Sequence, residues 1–160
     1  LVGEPFKVPV RDDLRNDFDE WARHPYAVKF SAGTGKTDLV LIPIHMKSNR
    51  GDSISKVQRA LEASTLVSAL DAVRKHFADD DLVLLGDTNI LKSNEEAAAN
   101  FTSAGFKDLN AADKPTTFRE DAPFDRIFVT VGEGEFTNSV LTVQAAADRN
   151  DHKRRLSDHY

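Results

Sequence analysis

Apolar positions along the chain follow two different periods. Three segments, YAVKFSAG from Tyr26, TDLVLIPIH from Thr37 to His45 and DLVLLGDTNI over residues 81–90, are nearly continuous apolar runs bounded by glycine and polar turns. Such runs predict strands, the last so apolar that both of its faces must be covered. Gly33, Thr34 and Gly35 turn the first run into the second, a hairpin of adjacent strands. Between His45 and residue 81 the period changes. From about Ser53 to Phe77, Leu66, Leu70, Val73 and Phe77 fall at i, i+4, i+7 and i+11, with Val57 and Leu61 starting the stripe slightly off it, while Arg59, Glu62, Asp71, Arg74 and Lys75 stay polar. This predicts one long helix with a face that covers a sheet. Beyond Asn89, Ser93 and Glu96 form a capping box, Ala97 to Phe101 continue a second helix, and Gly105 ends it.

The remainder reads as strand and turn. PTTF is a short strand candidate, FDRIFVTV a clear strand, GEGE a turn and FTNSVLTVQ a further strand, as antiparallel neighbours. Residues 5 to 25 mix charges with three prolines and predict an irregular connection with one helical turn around Leu14 to Trp21. The closing AAADRNDHKRRLSDHY predicts an exposed basic loop leading to a final Ser-Asp-His, and His24, His76 and His152 are assigned to the surface. Hairpins plus two covering helices specify an α+β layered sandwich rather than a doubly wound sheet.

Composition narrows this picture without choosing a substrate. A chain of 160 residues fits a single domain, residues 1–160, large enough to fold without staples, and it has no cysteine with which to make any. No apolar run reaches the ~18 residues of a membrane helix, so the expectation is a soluble protein, cytoplasmic or secreted. A net charge of -5 argues against an extended nucleic-acid-coating surface but leaves room for a small basic cleft. GTGKT resembles a phosphate-binding loop, yet Phe30 stands where that loop needs its first glycine and a strand follows where it needs a helix.

Candidate chemistry collects at strand ends. His45 closes VLIPIH, Asp87 and Asn89 close DLVLLGDTN, Asp125 opens DRIFVTV, and Asp158 and His159 follow the basic loop. Strand ends on one edge of a sheet converge, so these residues can share a pocket. Carboxylates and an amide carbonyl are hard ligands suited to Mg²⁺ or Ca²⁺, and without cysteine a structural zinc site is disfavoured. Plainer roles stand beside these: Asp87 and Asn89 are ordinary turn formers, and Asp125 has Arg126 as an adjacent ion-pair partner.

Taken in order, His-x-Lys-Ser at residues 45–48, Gly-Asp-x-Asn at 86–89, Asp-Arg-Ile at 125–127 and Ser-Asp-His-Tyr at 157–160 resemble the endonuclease/exonuclease/phosphatase family, the fold of deoxyribonuclease I. RHPYAVKF from Arg23 also resembles the Arg-x-Pro strand of its bacterial members. The resemblance covers roughly residues 20–160 and implies a layered α/β/β/α sandwich of the deoxyribonuclease I-like type. It implies a phosphodiesterase, most simply a nuclease, with Mg²⁺ (Mn²⁺ or Ca²⁺ as substitutes) and with DNA before RNA as substrate. His159 would be general base or transition-state stabiliser, Asp125 would hold its ring, His45 would bond the phosphate or protonate the leaving oxygen, and Asp87 and Asn89 would position water and phosphate. Asp158, with Asp87 and Asn89, would be metal-binding. Lipid or inositol phosphate hydrolysis on the same fold, and a non-catalytic binding module, are the alternatives.

Against the family pattern, no counterpart exists for the N-terminal asparagine and metal-binding glutamate. Glu4 and Glu20 are the glutamates before Arg23, and neither closes a strand-like run. The family's last strand, after Ser-Asp-His-Tyr-Pro, is also without a counterpart. The expectation is therefore a domain incomplete at its N-terminus, short of its final strand, and weakly active by itself.

Overall fold

A computed structural model describes residues 1–10, 21, 23–48, 51–117, 122–132, 136, 137, 139, 140, 148–155, 157 and 159. Its elements are β1 (Val2–Lys7), β2 (Tyr26–Ser31), β3 (Asp38–Pro43), α1 (Ser53–Phe77), β4 (Leu82–Asp87), α2 (Glu96–Ser103), β5 (Phe106–Asp108), β6 (Asp125–Thr130) and α3 (Arg149–Arg155). The strands form one six-stranded sheet in the order β1-β2-β3-β4-β6-β5. β3 and β4 run parallel and the other neighbours antiparallel. A parallel step needs a crossover, and α1 supplies it. As a result the exits of β3 and β4 and the entry of β6 lie on the same edge of the sheet, where every strand-end candidate was expected.

Alternation along the strands sends Val40, Ile42, Leu82, Leu84 and Phe128 into a core shared with Leu66, Leu70 and Val73 of α1 and Phe101 of α2. The rings of Phe101 and Phe128 lie 4.9 Å apart. The other side of the sheet is less covered, with Tyr26 and Phe30 exposed. The described residues thus form an α/β half of the layered arrangement, with mixed strand directions as expected of an α+β chain. Asp52 caps α1 by accepting a 2.7 Å bond from the Ser55 N–H, and Ala78 ends the helix in the left-handed region at φ 49. GTGKT is the hairpin turn between β2 and β3, with both glycines at positive φ and no helix after it.

Five expectations need correction. Residues 5–7 belong to β1, an edge strand where Pro5 lacks no needed donor and pairing is irregular between Val2 and Phe6. The capping box is absent: the Ser93 N–H donates to Asp113 Oδ1 at 2.8 Å, and α2 begins at Glu96 with Glu95 as an N-cap that makes no side-chain cap bond. The closing segment contains a helix, α3, started by Asp148 Oδ1 accepting from the Asn150 and Asp151 N–H groups and braced by Arg154 and Arg155 on Asp151. His152 is buried, not on the surface. Finally, the buried face of α1 does not begin at Val57, which is half exposed; Ser55, Gln58, Arg59 and Glu62 are buried there. The strand expected over residues 136–144 and the helical turn around Leu14 lie largely outside the described residues.

Glu62 is the least comfortable of these groups. Its Oε2 accepts a 2.8 Å bond from the Lys47 N–H, but its buried Oε1 has no partner among the described residues. Burial pushes its carboxyl up to about 7, against the pull of the Lys47 amide and of the charges on Lys47, Arg59 and Arg23. A raised carboxyl pKa means that the folded state binds the proton more tightly than the unfolded chain, so this contribution is present at mildly acidic pH and is lost as pH rises through about 7. Glu62→Gln is expected to raise stability at pH 8 by up to about 3 kcal/mol and to flatten the pH dependence between 5 and 8, as read by urea unfolding. Gly86 sits at φ 137, and a β-carbon there would run into the Ile44 carbonyl. Gly86→Ala should destabilise by about 2–5 kcal/mol in the same measurement.

Candidate active site

The parallel ladder does not stop at the end of β3. The Ile44 N–H donates to the Leu85 carbonyl at 2.8 Å and the Met46 N–H to the Asp87 carbonyl at 3.0 Å. Pro43 pairs with Leu85, so the same register places His45 beside Asp87. On the other flank Asp87 pairs with Asp125 of β6. Directly opposed residues share a face. His45, Asp87 and Asp125 therefore form a lateral row across three strands, and His45 Nε2 lies 3.5 Å from Asp87 Oδ2. His159 joins the row from the end of the chain: its Nδ1 is 2.8 Å from Asp125 Oδ2, and its backbone bridges to Thr117. All four side chains are partly exposed, so the row is open to solvent and to ligand.

Burial pushes the Asp87 carboxyl above the usual carboxylate range; His45, the Asn89 N–H bond and His159 oppose the rise, and Asp125 adds to it. The bond to Asp125 fixes the His159 tautomer: Nδ1–H donates to the carboxylate, and Nε2 is then the basic nitrogen of the neutral ring. Asp125 is available for this because its neighbour Arg126 is engaged elsewhere. The buried Arg126 guanidinium bonds Asp108 and Asp113 at 2.6 Å each and also the Asn110 and Ile90 carbonyls. The simple Asp125–Arg126 pair is thus not formed. Thr116 Oγ1 accepts the Asp125 N–H at 2.9 Å and holds the entry of β6.

Asn89 lies next to the row but is buried, at φ 55, with Nδ2 donating to the Met46 carbonyl at 3.2 Å. It ties the exit of β4 to that of β3. Asp158 lies outside the described residues. Among the described residues no three His, Cys, Asp or Glu side chains converge to enclose a metal ion. The hard oxygen donor that the row offers a cation is the Asp87 carboxylate, since Asp125 Oδ2 is held by His159.

Several supporting residues carried no sequence signal. Thr116 is one polar residue in a polar loop. His152 is buried with Nε2 3.1 Å from the His159 carbonyl, although nothing in its charged surroundings marks it as buried. Arg126 was visible only as a neighbour of Asp125.

No family model matches the chain. An uncharacterized protein of Mycoplasma pneumoniae is 32% identical over 90 residues, which is 49% of this chain and 19% of that protein. Among solved structures, sphingomyelinase C from Streptomyces griseocarneus superposes with a TM-score of 0.55 at 16% identity, covering 77% of this chain and 48% of that one. A Bacteroides thetaiotaomicron mannosyl-6-phosphatase gives 0.54 at 16% identity over 81% of this chain and 51% of that one. An endonuclease/exonuclease/phosphatase family protein from the same organism gives 0.50 at 19% identity, over 66% and 40%. The chain spans about half the length of these structures or less. With a mixed sheet, a crossover helix between parallel strands and a row of ionisable groups on the strand-exit edge, this chain has the deoxyribonuclease I-like fold of the endonuclease/exonuclease/phosphatase proteins.

Proposed function

We propose that the chain is the catalytic portion of a metal-dependent phosphodiester hydrolase that acts on nucleic acid, DNA before RNA. The observation that carries this reading is the row His45–Asp87–Asp125 completed by His159. Two histidines bracketing two carboxylates supply one group to accept a proton and one to donate it. In this mechanism a water oxygen attacks phosphorus while His159 Nε2 takes its proton. Asp125 keeps the ring oriented and stabilises the imidazolium that forms. Asp87 orients the water. The ester P–O bond then breaks, its electron pair goes to the leaving oxygen, and His45 protonates that oxygen. Asp87 is the described residue that would hold Mg²⁺, or Mn²⁺ or Ca²⁺ in its place, and the ion when bound would neutralise charge growing on the phosphoryl oxygens. Asn89, through the Met46 carbonyl, keeps His45 and Asp87 in register.

Nucleic acid is favoured over other phosphodiesters by α3. His152 seats this helix against the His159 turn, and Lys153, Arg154 and Arg155 are exposed on it. Exposed cations on a helix that contacts the His159 backbone, two of them also paired with Asp151, suit a polyanion whose phosphates continue past the scissile one. Lys47, partly exposed two residues after His45, adds to them. The second reading, a lipid or inositol phosphate hydrolase, is supported by the names of two solved structures that share the fold, the sphingomyelinase C and the mannosyl-6-phosphatase. The third is a binding module without turnover.

Supercoiled plasmid, RNA, sphingomyelin vesicles and an inositol phosphate, each with Mg²⁺ or with EDTA, separate these readings. The protein is expected to nick plasmid only with the metal, and His159→Ala or Asp87→Ala should lower the rate about 10³-fold or more. Release from sphingomyelin or the inositol phosphate without nicking would move the substrate to that class, and DNA binding without turnover would make the protein a binding module. Asp125→Asn should act on kcat far more than on KM, by about 10²–10⁴-fold, because it removes the acceptor that fixes the His159 tautomer.

A further inference from the structure

The loop after His45 and the loop after Asn89 both reach the same buried ion pair. Arg59, on α1, has no solvent exposure, and its Nη2 donates to Glu95 Oε2 at 2.9 Å. Its Nη1 reaches the Lys47 carbonyl at 3.5 Å, and Glu62, one turn further along α1, accepts the Lys47 N–H. Both backbone groups of Lys47 are thus held by α1. Glu95 turns the other way: its Oε1 accepts the Leu91 N–H at 2.9 Å and the Lys92 N–H at 3.3 Å. A continuous path of hydrogen bonds therefore runs from the residue two places after His45, through Arg59 and Glu95, to residues two and three places after Asn89.

We propose that Arg59 is a positioning residue, which through Glu95 and Lys47 fixes the separation of the loops carrying His45 and Asp87–Asn89; its effect on turnover rests on the phosphodiesterase reading above. A buried ion pair adds little net stability, since desolvation offsets much of the attraction, so its structural effect is one of geometry. Arg59 Nε also has no partner among the described residues, which a purely stabilising contact would not favour. The planar guanidinium spans two acceptors at fixed angles, whereas a lysine ammonium at the same place would reach one. Among the described residues the two strand exits are also joined by the Met46 N–H bond to the Asp87 carbonyl and the Asn89 Nδ2 bond to the Met46 carbonyl, so release of Arg59 leaves His45 and Asp87 joined at the strand and the loops beyond them free to shift.

The test compares Arg59→Lys, Arg59→Met and Glu95→Gln in the same polypeptide, by Mg²⁺-dependent hydrolysis of plasmid and of bis(p-nitrophenyl) phosphate and by amide hydrogen exchange. Arg59→Met is expected to lower kcat by about 10-fold or more with KM little changed, with part of the loss restored in Arg59→Lys. The Lys47, Leu91 and Lys92 amides should exchange about 10-fold faster, while Leu82 and Leu84 in β4 keep their protection. Should Arg59→Met not fold, Glu95→Gln carries the same expectation for Leu91 and Lys92. A lower melting temperature with unchanged kcat and unchanged exchange at those amides would overturn the proposal and make Arg59 a packing residue. The exchange arm needs no turnover: faster exchange in the variants, with a wild-type protein that hydrolyses neither substrate, would sink the phosphodiesterase reading and leave the positioning role standing.

Discussion

Two carboxylates opposed across an antiparallel strand pair are the constraint around which this structure is arranged. The register that joins β4 to β6 puts Asp87 against Asp125, and like charges in that position repel. Two histidines stand beside the pair. His45, delivered by the parallel ladder, stands on one side of Asp87, and His159, delivered by the terminal turn, bonds Asp125 on the other. Arg126 would be the simplest neutraliser, yet it is drawn away by Asp108 and Asp113. The repulsion is met by titratable groups rather than by a permanent cation, which leaves the row able to exchange protons.

The sheet order explains why the row can exist. Because α1 carries the chain from the exit of β3 to the entry of β4, both strands present their carboxyl ends to one edge; because β6 returns antiparallel, its first residue arrives there too. α1 is also the element whose first turns face the site. That is why its N-terminal half buries Ser55, Gln58, Arg59 and Glu62 while its C-terminal half buries Leu66, Leu70 and Val73. One helix covers the core with one end and braces two loops with the other.

This division also shows where sequence reading succeeds. Nearly continuous apolar runs marked β2, β3, β4 and β6, and the i, i+4, i+7 stripe marked α1 with its observed bounds, because burial of apolar area dictates these patterns directly. His45, Asp87, Asp125 and His159 were legible because each sits where an apolar run meets a polar loop. Arg59 and Glu62 were not, since a charged residue on a helix reads as solvated unless its partner is known, and theirs are a backbone and a residue 36 positions away. His152 was lost for the same reason, its environment being set by a turn that closes only in three dimensions. Pro5 concealed β1, and the three residues of β5 are too few to show a period. The capping box failed because Asp113, twenty positions on, claims the Ser93 amide.

Gly86 links the fold to the site more tightly than any side chain does. With no β-carbon, it lets the Ile44 carbonyl lie against the β4 backbone one residue before Asp87. The spacing of His45 and Asp87 is consequently set by main chain touching main chain, not by the sizes of the residues packed beneath. Apolar core substitutions beneath the sheet can alter how firmly the domain holds together while the interval between these two groups along the strands stays the same; what lies beyond the strand ends is left to the loops that Arg59 and Glu95 hold.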